Sequence, residues 1–184
     1  MDNRTTPTTE LRADHELILE VAESLSVMVQ ADPESLDYEK VTQCISFFRL
    51  FADACHHGKE EDLLFPALAA KGLPQEGGPV AVMLHEHEES RALLRSMSVS
   101  VEGAKQSQSG ATEDLVNAAT EYIELITTHI GKENNILFNI ADELIEGQDC
   151  RDLCAAYDEL SEQRYEGYSK QELVNIARGI IDQT

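Results

Sequence analysis

At 184 residues with a formal net charge of −21, the chain is long enough for one domain with a real core and too acidic to favour nucleic acid or an anionic membrane surface as a partner. No apolar run approaches the roughly 18 residues that a membrane span needs, and the polar opening MDNRTTPTTE lacks the apolar centre of a signal peptide. Four cysteines, Cys44, Cys55, Cys150 and Cys154, contain no CxxC pair, so reduced thiols and a cytoplasmic protein are expected.

Apolar residues recur at alternating steps of three and four through the long segments, and no stretch alternates as a strand does, so an all-α fold is expected. The first helix spans about Thr9 to Gln30, with the stripe Leu11, His15, Ile18, Ala22, Leu25, Val29. A loop at Asp32 and Pro33 leads to a second helix, about Asp37 to Ala70, with the stripe Val41, Ile45, Phe48, Ala52, His56, Glu60, Leu63; Pro66 should kink it or loosen its last turn. The Gly- and Pro-dense segment Lys71 to Pro79 reads as a turn, with Pro79 in the first turn of a third helix that runs to about Lys105. Its stripe is Val80, Met83, His87, Ser90, Leu94, Met97, Val101. After the loop QSQSGAT, Thr112 is the expected N-cap of a fourth helix with the stripe Leu115, Ala119, Tyr122, Ile126, His129, Glu133, Ile136, Ile140.

Short connections between four amphipathic helices favour an up-down-up-down four-helix bundle. Two shorter helices are expected beyond Gly147, one opening near Asp149 and one at Ser169, where Ser169 and Glu172 make a capping box. The division expected is a bundle over residues 1–146 and a helical extension over 147–184, through which a homodimer could form.

The chemistry lies in a repeated phrase. HHGKEEDLLF from His56 and HIGKENNILF from His129 agree at six positions, and each places a His four residues before a Glu, one helical turn away on the same face. His15, His56, His87 and His129 fall on the core stripes, one per helix, and Glu60 and Glu133 follow two of them. An unpartnered carboxylate in a bundle core costs several kcal/mol, and two would be hard to tolerate. A cation resolves that cost by neutralising the carboxylates and taking a lone pair from each neutral imidazole.

Four His and two Glu are too many for one tetrahedral zinc and too nitrogen-rich for calcium or magnesium, but they suit two metals with Glu60 and Glu133 bridging. Coordination positions then stay open for a solvent-derived oxo or hydroxo bridge and a small exogenous ligand. The remaining residues of the phrase, Lys59, Glu61 and Lys132, read as exposed charges. His57 and His85 sit off the stripes, as exposed or supporting groups. Cys55 reads as a small buried hydrophobe, Cys150 and Cys154 as packing, and Tyr122 as a core residue whose hydroxyl could reach an exogenous ligand.

The segments HHGKEEDLLFP, GGPVAVMLHEHEESRALL and HIGKENNILF resemble the hemerythrin-like, HHE cation-binding family, and within it the di-iron domain of bacterial proteins that repair damaged iron centres, over about Asp14 to Asp142. The resemblance implies a left-handed bundle around a non-heme di-iron centre whose ligands are His15, His56, Glu60, His87, His129 and Glu133. It also implies binding of oxygen, nitric oxide or peroxide, with redox turnover or iron-centre repair if an electron donor is supplied. The alternatives are a non-enzymatic iron, oxygen or redox sensor or iron store, and a structural zinc or manganese bundle. Two departures bear on activity. Oxygen carriers have a further His where this chain has Met83, which argues against reversible oxygen carriage, and the repair proteins have an N-terminal cysteine-bearing domain, whereas His15 here comes almost at once.

Overall fold

The computed structural model of the chain describes residues 6–31 and 35–183; the first five residues and the loop expected at Asp32 and Pro33 lie outside them. Every element is helical, and no strand forms among the described residues. Helix α1 spans Thr9–Gln30. A second rod, residues 38–70, joins α2 (Tyr38–Phe47), π-helical stretches at Phe48–His57 and Glu60–Leu64, and α3 (Phe65–Ala70). Helix α4 is Gly78–Lys105. A fourth rod, residues 111–144, joins α5 (Ala111–Lys132), a π stretch Glu133–Leu137 and α6 (Phe138–Leu144). Then follow α7 (Gly147–Ser161) and α8 (Lys170–Ile181).

Local chemistry sets most of these ends. Asp37 caps α2, its Oδ1 accepting the N–H groups of Glu39 and Lys40 at 3.0 and 3.2 Å. Ser169 and Glu172 form the expected capping box at α8. Thr112 is not a cap. Gly110, left-handed at φ 82°, opens α5 instead, which leaves Thr112 inside the first turn with its hydroxyl 2.9 Å from that of Tyr38. Pro66 falls in the first turn of α3, where the ladder changes from π to α and a missing N–H costs little, so the rod continues through it.

The two π stretches after the repeated Gly-Lys pair shift the register of the face behind them. Each inserts i→i+5 hydrogen bonds, seen where the N–H of Phe65 reaches the carbonyl of Glu60 and that of Phe138 reaches Glu133. The core face therefore moves by one residue. Leu137 and Phe138 are buried and Ile136 is 54 % exposed; Leu64 and Phe65 are buried where the stripe pointed to Leu63. Ahead of those stretches the stripe residues are buried as expected.

Two apolar clusters result, with the His and Glu side chains in a layer between them. One contains Ile18, Ala52, Leu94 and Ile126, the other Leu11, Leu64, Met83 and Leu137. Along α1 the order is second cluster, His15, first cluster; along the second rod it reverses through His56 and Glu60. It reverses again in α4 and once more in the fourth rod, which is an up-down-up-down arrangement. The C-terminal helices bury their apolar faces on this bundle: Leu173, Ala177 and Ile180 of α8 join the first cluster, and Leu153 and Tyr157 of α7 join the second. None of the helices among the described residues is long and apolar enough to cross a membrane.

Candidate metal centre

The side chains of His15, His56, Glu60, His87, His129 and Glu133 all point into that middle layer, and all are buried. They fall into two groups. His15, His56, Glu60 and Glu133 each bring one ligand atom within 4.8 Å of the others, and so do His57, Glu60, His87 and His129. Glu60 belongs to both, with its Oε1 3.5 Å from His56 Nε2 and its Oε2 3.5 Å from His87 Nε2. Glu133 Oε2 lies 3.1 Å from His15 Nε2 and 3.3 Å from His129 Nε2. Each carboxylate thus spans between an imidazole of one group and an imidazole of the other.

The outward nitrogens explain why the inward ones are available. His87 Nδ1 lies 2.7 Å from Glu61 Oε1, His129 Nδ1 3.0 Å from Glu86 Oε2, and His15 Nδ1 3.0 Å from Asn134 Oδ1. His57 Nδ1 is 3.4 Å from Asp53 Oδ1, and His56 Nδ1 3.6 Å from Asp14 Oδ2. For the four rings within hydrogen-bond distance, all but His56, an acceptor on the Nδ1 side puts the ring proton there and leaves Nε2 a bare lone pair. His87 Nε2 and His129 Nε2 nevertheless sit 3.2 Å apart. Two lone pairs at that distance repel unless a cation lies among them.

The supporting shell is itself held by cations. Arg91 donates to Glu61 at 2.7 Å and to Asp53 at 2.8 Å, Lys132 pairs with Glu86, and Arg12 donates to the backbone carbonyl of Asn134 at 2.9 Å. Lys59 is fully buried between Glu10 and Asp14, 3.1 Å from Asp14 Oδ2, and Lys170 reaches Asp14 Oδ1 at 2.8 Å from the first turn of α8. The reading of Lys59, Glu61 and Lys132 as exposed charges is therefore corrected. Lys59 neutralises buried acids, while Glu61 and the Lys132–Glu86 pair orient the imidazoles of His87 and His129. Their partners lie far away in sequence, so helix-face patterning carried no sign of them.

His57 is the cluster residue that the stripe misses. It is buried and stacks face to face on His87, with ring centroids 3.7 Å apart. A π ladder holds more residues per turn than an α ladder, so neighbouring side chains diverge by a smaller angle and His56 and His57 both reach the interior. The adjacent pair of histidines was the available signal. His85, by contrast, is 74 % exposed and pairs with Glu89 on its own helix, while Met83 is buried beside Val80 in the second cluster.

Burial dominates the electrostatics. It pushes His56 and His129 down to about 3, helped by His15 in the first case and His87 in the second, and holds His15 and His57 below the usual imidazole range. Burial raises both Glu60 and Glu133 well above ordinary carboxylates, and for Glu60 the charge of Glu133 adds to it. Burial also works to raise Asp14, but His56, Lys59 and Lys170 overcome it and hold that carboxyl well below the usual range. Neither oxygen of Glu60 or Glu133 has a hydrogen-bond partner, nor has Nε2 of His15 or His57, nor either ring nitrogen of His56. Inward lone pairs, unpartnered carboxylates and buried imidazoles together are a donor set that suits a borderline cation.

The family model of the hemerythrin HHE cation-binding domain matches residues 6–141. The chain belongs to that family. The match takes in the first three rods and the fourth as far as Ala141, within α6, and ends before α7. Among curated proteins, the chain is similar to the iron-sulfur cluster repair protein YtfE of Escherichia coli O81 (strain ED1a), 34 % identical over 85 residues, which is 45 % of this chain and 39 % of that protein. YtfE of Escherichia coli K12 (strain DH10B) and of Shigella boydii serotype 18 are each 33 % identical over the same shares. The similarity thus spans about two fifths of the length of these relatives.

Proposed function

We propose that this hemerythrin domain is a non-heme di-iron protein that binds a small ligand, oxygen, nitric oxide or peroxide, at a carboxylate-bridged centre. The observation that supports it best is the sharing of Glu60 by two four-residue groups, with Glu133 also spanning between imidazoles of the two. His15 and His56 would hold one iron and His87 and His129 the other, with His57 beside the second. Iron bound there supplies electron transfer and open coordination positions.

The chain's own groups do the rest. The acceptors Asn134, Glu61 and Glu86 keep the Nδ1 protons of His15, His87 and His129 outward, so these imidazoles enter as donors without rearrangement. The buried carboxylates offset the metal charge, and the apolar clusters on either side keep bulk water out. The similarity to YtfE supports a role in iron-centre repair, and the absence of any disulfide among the described cysteines suits a cytoplasmic setting.

Anaerobic iron loading should reach two ions per chain, and the reduced protein should then consume at least one of the three ligands when an electron donor is supplied. Saturation at one ion per chain overturns the paired centre, and no consumption of any of them overturns the reactive reading. One contact favours a sensing role instead. Lys170 ties α8 to Asp14, behind His56, so a change at the centre could reach the C-terminal helices. Identical hydrogen exchange of α8 in metal-free, reduced and oxidised protein excludes that route.

A further inference from the structure

Tyr157 lies on α7, outside the stretch that matches the family model. Its side chain is fully buried in the second cluster with Leu11, Leu64, Phe65 and Phe138. These neighbours border the centre. Leu11 precedes His15 by one turn, Leu64 follows Glu60 by four residues, and Phe138 stacks on the His15 ring with centroids 5.1 Å apart. Helix α7 packs directly against the π stretch Glu60–Leu64.

In that setting the Tyr157 hydroxyl has no hydrogen-bond partner. Among the buried tyrosines, Tyr122 in the first cluster is unpartnered as well, while Tyr165, a few residues on, donates to the Leu160 carbonyl at 2.9 Å. Tyr157 does not, although a buried O–H without an acceptor is normally avoided. Burial pushes its phenol far up, and the next contribution comes from the Glu60 carboxylate, so the group stays a protonated donor. Its helix packs on the stretch that opens with Glu60, yet the two side chains share no hydrogen bond and both stay unpartnered. A protonated donor and an unpartnered acceptor on packed elements can both be satisfied by one small third partner.

We propose that the Tyr157 hydroxyl donates a hydrogen bond to a small anionic or diatomic ligand held at the His15, His56, Glu60 and Glu133 group. This rests on the metal-binding reading above. It makes the C-terminal helices part of the centre, and it assigns ligand affinity to a residue that lies outside the matched domain.

Azide titration of the iron-loaded full chain is the test, read by its charge-transfer absorption. Tyr157→Phe should leave the iron content unchanged and weaken azide binding about tenfold, the size expected for a hydrogen bond to a charged group. Its metal-free form should melt no lower than wild type, because no bond inside the protein is lost. Tyr165→Phe should do the reverse, melting earlier with azide affinity intact. Equal azide affinity in Tyr157→Phe and wild type overturns the inference, as does a lower melting point of the metal-free variant. If the wild-type chain takes up no iron, the metal-binding reading itself fails; if it loads and binds azide no better than the variant, only the assignment of Tyr157 is lost.

Discussion

Glu86 Oε2 lies 3.0 Å from His129 Nδ1, while Lys132, three residues beyond His129, holds the other oxygen of the same carboxylate. Helix α4 thereby sets the tautomer of an imidazole that belongs to α5. Glu86→Leu should cut iron affinity about 10–100-fold, the usual cost of losing such an outer partner, with helix content unchanged. Competition against a chelator measures it, and an affinity within twofold of wild type refutes the orienting role.

Glu60 and Glu133 are costly to the protein when no metal is bound, since their charges are buried without partners. Glu133→Gln keeps the shape and removes one charge. It should stabilise the metal-free protein by about 1–3 kcal/mol while reducing iron stoichiometry. Thermal melts in chelator set beside elemental analysis test this, and a less stable metal-free variant contradicts it.

The same burial gives the metal-free protein a pH dependence whose sign follows from opposed groups. His15, His56, His57 and His129 are lowered, His56 and His129 to about 3; their contribution is intact above the unfolded value near 6.5 and is lost as pH falls toward the folded one. Glu60 and Glu133 are raised, so theirs is intact below about 4.5 and lost as pH rises. Between about pH 6 and 4.5 four imidazoles outweigh two carboxylates, and stability should fall on acidification. Urea midpoints in chelator that stay level over this range count against it.

Lys59 is a fully buried cation between Glu10 and Asp14. Lys59→Met leaves Asp14 with Lys170 alone and should destabilise the fold by about 3 kcal/mol. Denaturant unfolding measures the loss, and a change below about 0.5 kcal/mol, typical of a surface site, means the lysine is not the buried counter-ion.

The register shift behind Glu133 separates two neighbours. Ile136→Ser should be nearly neutral, within about 0.5 kcal/mol, because Ile136 projects outward, whereas Leu137→Ala should cost about 2–5 kcal/mol, because Leu137 sits in the second cluster. The opposite ranking restores an uninterrupted α-helix.

Much of this was legible in the order of residues. A face that repeats every three and four residues is a local property, so the boundaries of α1 and α4, the capping box at Ser169 and the placing of His15, His56, Glu60, His87, His129 and Glu133 on inward faces all follow from spacing and from the cost of burying charge. The misreadings share a cause. A constant 3.6-residue period carried through Glu133 places Ile136 in the core, whereas the backbone there adopts i→i+5 bonds and turns it outward. The same period leaves His57 off the inward face, where the π stretch Phe48–His57 buries it.

By itself, then, the sequence determined four amphipathic helices and which six polar side chains they turn inward, since those depend on periodicity and on solvation. Only the tertiary structure decided that His57 joins them, that Lys59 lies buried, that Lys170 pairs with Asp14, and that Tyr157 packs into the second cluster. Those outcomes depend on partners up to about 160 positions apart in the chain. Pairings over that distance are set by how the rods pack and leave no period in the sequence to read.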